Sequence, residues 1–147
     1  MSVAKIAHQK ICDLLNDYAP SPLWLAVYNT HKKAHLIVPS LSVDVETDTP
    51  LENDAAIINQ ELIDNRNIQI SIRLHINYRL GPSDTNLSMD MVDDVIQWLR
   101  QHINLGNGYR IFDVSGTAYD VEHISSGTIG AEINVNIHKV TYYEQID

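Results

Sequence analysis

The sequence predicts an α+β fold, a mostly antiparallel sheet with two helices packed on one face as a two-layer sandwich. Three observations carry this. The stretch "IQISIRLHINYRLG" at 68–81 alternates, with Ile68, Ile70, Ile72, Leu74, Ile76, Tyr78 and Leu80 on one parity. Gln69, Ser71, Arg73, His75, Asn77 and Arg79 occupy the other. That period of two is the signature of a strand with one buried side. "TIGAEINVNIHKVTYY" at 128–143 repeats the design: Ile129, Ala131, Ile133, Val135 and Ile137 alternate with Glu132, Asn134, Asn136 and His138. Two further segments carry apolar residues at helical spacing instead.

In chain order, Val3, Ile6, Ala7, Ile11, Leu14, Leu15 and Tyr18 make residues 2–18 an amphipathic helix, capped by Ser2 and stopped by Pro20 and Pro22. "LWLAVYN" (23–29) reads as a mostly buried strand and "THKKA" as a turn. "HLIVPSLSVDVET" (35–47) gives two extended stretches split by Pro39; Leu41, Val43 and Val45 alternate with Ser42, Asp44 and Glu46 in the second. Residues 46–67 read as an acidic loop with a short helical turn near Ala55–Ile63, since Glu46, Asp48, Glu52 and Asp54 crowd its start. Loops of that length inside a domain are usually functional or disordered.

"GPSDTN" follows the long strand as a turn. "LSMDMVDDVIQWLRQHINLGNG" is then the clearest helix. Ser88 suits its N-cap, Asp90, Asp93 and Asp94 its positive end, and Arg100 and His102 its negative end. Val92, Val95, Ile96, Leu99 and Ile103 form its buried stripe, which Met91 or Trp98 widens, and "GNG" terminates it. Three strands close the chain, at 109–115, 118–125 and 128–143, with turns at Gly116 and Gly127.

The 147 residues suit a single domain with one core. Asp+Glu 19 against Lys+Arg 10 gives a net charge of -9. This argues against a nucleic-acid binder held by a general basic surface. With one cysteine, Cys12, no intramolecular disulfide forms, and its helical setting suggests a packed thiol. No run approaches the ~20 apolar residues of a membrane span. The N-terminal segment lacks the continuous apolar stretch of a signal peptide, so the expected location is the cytoplasm.

Chemistry-bearing patterns are sparse. "HKKAH" spaces His31 and His35 four apart, but around a turn rather than on a helix, so both are expected at the surface without metal. His75 and His138 lie on polar strand sides and would make a site with Glu132 or Glu122 as third ligand if they met across the sheet. No G-x-S-x-G and no phosphate loop is present. Neither catalytic residues, a metal nor a cofactor is expected. The polar strand sides remain, and Arg73, His75, Asn77, Arg79, Glu132, Asn134, Asn136 and His138 are the candidate interface. Long exposed strands need cover, which a ring of subunits supplies.

The layout is similar to one known family. An N-terminal helix, short strands and an acid-rich stretch lead to "IQISIRLHINYRL", then "VDDVIQWLRQHI", "GNGYRIFDV" and the closing "GTIGAEINVNIHKVTYY". Over the whole chain this order resembles the small tail terminator, or minor tail, proteins of long-tailed bacteriophages and prophages. The resemblance implies a non-enzymatic α+β protein assembling as a ring, commonly a hexamer. Such a ring caps the tail tube and joins it to the head connector, in the host cytoplasm during assembly and then in the virion tail. Tail tube and head-connector proteins would be its partners, with no specific nucleic-acid binding and no membrane. A second reading is a small protein- or ligand-binding domain; a third is an enzyme using His75, His138 and Glu132.

Overall fold

The computed structural model describes residues 2–18, 26–31, 40–50, 56–58, 61–77, 83–120 and 128–144. Their order is α1 (Val3–Asp17), β1 (Ala26–Tyr28), β2 (Ser40–Pro50), β3 (Ala56–Ile58), β4 (Glu61–Asn77), α2 (Ser83–Gln101), β5 (Asn104–Gly106), β6 (Tyr109–Asp120) and β7 (Thr128–Glu144). The fold is α+β, with a curled, mostly antiparallel sheet. Its path is β1-β2-β4-β7-β6-β5, and β3 pairs with β4 beside that path. β1 and β2 run parallel; every other pairing is antiparallel.

The two alternating segments pair with each other. β4 and β7 are each 17 residues long and stay in unbroken register from Glu61 opposite Glu144 to Asn77 opposite Thr128. At roughly 3.3 Å per residue this ribbon is about 55 Å long. Ile68, Ile70, Ile72 and Leu74 are fully buried, as are Ile133, Val135 and Ile137. Ala7, Ile11, Cys12 and Leu15 of α1 and Val92, Val95 and Leu99 of α2 join them in a single apolar cluster. The expected stripes of both helices thus reach the core. Burial pushes the Cys12 thiol up to about 11, aided by the Asp13 carboxylate, so it stays protonated.

Ser2 caps α1 as its position suggests, its hydroxyl accepting from the Lys5 N–H at 3.1 Å. Trp98 ties the helices together by donating its indole N–H to the Leu14 carbonyl at 3.1 Å. The second helix starts earlier than expected, at Ser83, so Ser88 lies inside it and Asp90–Asp94 lie beyond its first turn. Ser83 and Asp84 are themselves helix-start residues, and Pro82 precedes them in the sequence.

Three local expectations are overturned. "GNG" does not end α2, which stops at Gln101; it makes the β5–β6 hairpin. Asn107 (φ 55°) and Gly108 (φ 82°) are the two central residues, and a type I′ turn requires positive φ at both. Lys10 and Lys139 flank the buried Tyr109 ring beside that turn, while their ammonium groups donate to the Leu105 and Asn107 carbonyls. Gly116 is not a turn either. β6 runs on to Asp120, and a register shift between Ser115 and Ala118 absorbs the glycine as a bulge. Finally, the acidic stretch is not a loop where it is described. Residues 46–50 belong to β2, 56–58 to β3 and 61–67 to β4, which also rules out the helical turn over those positions. The Arg66 guanidinium grips the Asp48 carboxylate through two hydrogen bonds of 3.0 and 2.6 Å, neutralising a charge that looked loop-like in isolation. The stretches expected at 23–25, 35–39 and 121–125, and the Gly127 turn, lie outside the described residues.

Candidate functional site

The second side of the ribbon is where the candidate residues lie, and it is less uniform than alternation suggests. Arg73 is exposed, and Glu132, its direct cross-strand partner, is half-buried. Their closest approach, Nε to Oε2, is 3.9 Å. Asn134, Asn136 and His138 continue the row along β7, all half-buried. Asn136 donates its amide N–H to Asp113 at 3.4 Å, and the Phe112 ring stands edge-on to the His138 ring at 6.1 Å. The His138 Nε2 atom is buried and has no hydrogen-bond partner among the described residues. Asn77 ends β4 opposite Thr128, and Arg79 lies outside the described residues.

His75 departs from expectation. It is only 3% exposed, although it sits on the polar parity. The cause is the chain after β1, which brings His31 over this side of β2 and β4. His31 Nδ1 is 2.8 Å from the Ser42 hydroxyl and its Nε2 is 3.3 Å from the Ser71 hydroxyl. Ser42 in turn lies 3.2 Å from His75 Nε2, and Ser71 donates to Glu132 at 2.8 Å. Ser42 and Ser71 are fully buried. His31 is therefore no surface histidine; His35 lies outside the described residues.

The direction of every bond in this chain follows from its last link. Ser71 gives its proton to Glu132, so it can only accept from His31, whose Nε2 must carry hydrogen. A neutral His31 then presents a lone pair at Nδ1, which receives the Ser42 hydroxyl proton. Ser42 is left as acceptor for the Nε2–H of His75. Burial holds the His31 pKa below its usual 6.5, assisted by the Arg73 charge and opposed by Asp44, Glu132 and Glu46. Asp44 anchors the same segment from its edge. Its carboxylate accepts from the Thr30 hydroxyl at 3.2 Å, the Val45 N–H at 3.0 Å and the His31 backbone N–H. Burial alone would raise the Asp44 pKa, but these hydrogen bonds outweigh it and hold the carboxyl below its ordinary value.

Both shifts have the same sign for stability. A His31 that binds its proton less readily folded than unfolded stabilises the fold above pH about 6.5 and loses that contribution as pH falls through this value. Asp44, depressed, adds a loss at lower pH, as the medium passes its ordinary 3.8 and falls toward its folded value. Stability measured by urea denaturation is expected to fall as the pH drops below the ordinary histidine value of 6.5, and His31→Gln is expected to flatten that slope. An unchanged slope in the variant would remove His31 from the explanation.

The three-residue site of His75, His138 and Glu132 does not assemble. His75 is opposite Gly130 and His138 opposite Asn67, so the two histidines lie eight positions apart along the ribbon, about 26 Å. No group of three or more potential metal ligands occurs among the described residues. The Ser–His contacts put nucleophile and base types side by side, yet both hydroxyls are shut off from solvent, which suits a pinning role. Among the described residues no helix is long and apolar enough to cross a membrane.

The residues that alternation alone missed are His31, Asp44 and Phe112. The available signal was small: Ser42 and Ser71 are short side chains where neighbours on the same parity are long, leaving room for chain to lie across them. Neither a scan against protein-family models nor a search of curated proteins finds a match to this chain.

Proposed function

We propose that this chain is a non-enzymatic assembly protein of the phage-tail type, a ring-forming subunit that caps the tail tube and joins it to the head connector. In this reading the helices cover the apolar side of the sheet as one layer of a sandwich, and the ribbon's other side meets neighbouring molecules. The observation that carries it is the β4–β7 ribbon, 17 residue pairs in unbroken register, about three times the usual ~5–6 residue strand length. Its second side presents Arg73, Glu132, Asn134, Asn136 and His138 in a row poor in lysine and rich in amides, which suits paired contact more than solvation. A net charge of -9 is compatible with a conduit through which DNA passes without being held.

Assembly would take place in the host cytoplasm and leave the protein in the virion tail. Genes for capsid, tube and tape-measure proteins beside this one would support the reading. The direct test is co-expression with the neighbouring tube-forming subunit, followed by electron microscopy. Tubes of limited length, each closed at one end by a ring of this chain, are expected. Tubes that lengthen unchecked with no added density at their ends, beside a protein that stays monomeric, would instead favour a small binding domain.

A further inference from the structure

We propose that the flank formed by Phe112, Arg100 and Arg110 receives the opposite, acidic flank of a second copy, centred on Glu46, in a head-to-tail contact. This rests on the ring reading and adds which surfaces meet.

Phe112 is 56% exposed, the only large hydrophobic side chain so displayed among the described residues. Its exposure is built in. Ile111 pairs with Ile137 and Asp113 with Asn136, so Phe112 is the extra residue of a β-bulge, a device that re-aims a side chain. The bulge lets Ile111 and Val114 both enter the core with two outward residues between them. Phe112 stands against His138 and is therefore continuous with the polar row of β7. Beside it lies a shallow depression of about 390 Å³, lined by Arg100, Ile103, Arg110, Phe112, Asp113 and Val114. Both arginines are exposed, and Asp113, the one carboxylate there, accepts a hydrogen bond from Asn136. An aromatic anchor flanked by arginines is the side-chain combination that carries binding energy at interfaces.

The occupant follows from charge and topology. A chain with nearly twice as many acids as cations gathers two arginines here. Across the sheet, β1 pairs only with Ser40–Ser42, so the outer edge of β2 from Val45 to Pro50 has no strand beside it among the described residues. Glu46, exposed and itself at a register shift, is the carboxylate this edge leaves open, since Asp48 beside it is held by Arg66. β2 and β6 are each second from an end of the strand path, so the complementary surfaces lie on opposite flanks. Two different surfaces on opposite flanks make a heterologous contact, which forms a ring when its rotation closes.

The test places a photo-crosslinking benzoylphenylalanine at position 112 of the full chain. Illumination is expected to yield a covalent dimer, with the second copy joined through its tryptic peptide 34–66, which holds Glu46. Arg110→Glu is expected to lower the dimer yield by about tenfold or more, and adding Glu46→Arg to restore it to within about threefold. Melting temperatures of all variants should match the parent, because both side chains are exposed. Cross-links to another segment of the second copy overturn this contact and leave the ring reading standing. The absence of any cross-linked dimer from protein that still forms rings on tubes overturns this contact alone; its absence from protein that also never joins tubes overturns both.

Discussion

Replacing Ile72 with alanine is expected to lower the free energy of unfolding by about 2–5 kcal/mol, while Arg73→Ala next door changes it by no more than about 0.5 kcal/mol. Ile72 is fully buried at the centre of the sheet, opposite Val43 on one side and Ile133 on the other, both also fully buried. Truncation removes three carbons from a site with cross-strand neighbours on both sides, inside the apolar cluster that residues of both helices join. Little relaxation is available there, so a cavity remains. Arg73 points to the other side; its contact with Glu132 is 3.9 Å long between groups 46% and 38% exposed, a geometry of small net value. Chemical denaturation of the pair of variants reads the two sides of one strand directly. Comparable losses at both positions would show that the ribbon does not have one dry side and one open side.

The second large effect is expected at Ser71. Ser71→Ala removes the donor to Glu132 and the acceptor for His31 in a single step, at a fully buried position. A loss of about 1–3 kcal/mol follows from leaving such partners without their hydrogen bonds in a region of restricted water. The variant should also loosen the segment around Thr30–His31, because that segment is held over the sheet by Ser42, Ser71 and Asp44. Hydrogen exchange provides the second readout: the His31 amide, which donates to Asp44, should exchange faster in Ser71→Ala than in the parent. A loss of stability without faster exchange there would mean that the serine supports the sheet alone.

The ribbon was legible because its signal is local and strong: seven apolar residues on one parity leave little choice of face. The register was not, since no single segment encodes which residue of β7 stands opposite Arg73. That is also why the acidic stretch misled. Asp48 looks like loop chemistry until Arg66, 18 positions later, is seen beside it on the neighbouring strand. "GNG" carries two meanings, a helix stop and a hairpin turn, and the three residues of β5 between α2 and the turn decide for the hairpin. His31 lies furthest from sequence reasoning. Its burial depends on where the chain after β1 crosses the sheet, and on two serines from strands that meet only in the folded state.

On the ring reading, the ribbon's polar side is a surface for other molecules rather than a second core or a solvated face. Sedimentation velocity of the parent and Arg73→Glu, across a wide concentration range and with the tube-forming partner present, tests it most directly. The parent is expected to enter a discrete ring-sized species or to sediment with tubes. Arg73→Glu, with an unchanged melting temperature, should remain a monomer under the same conditions. Equal assembly of both proteins, or a monomeric parent that never joins tubes, would contradict it.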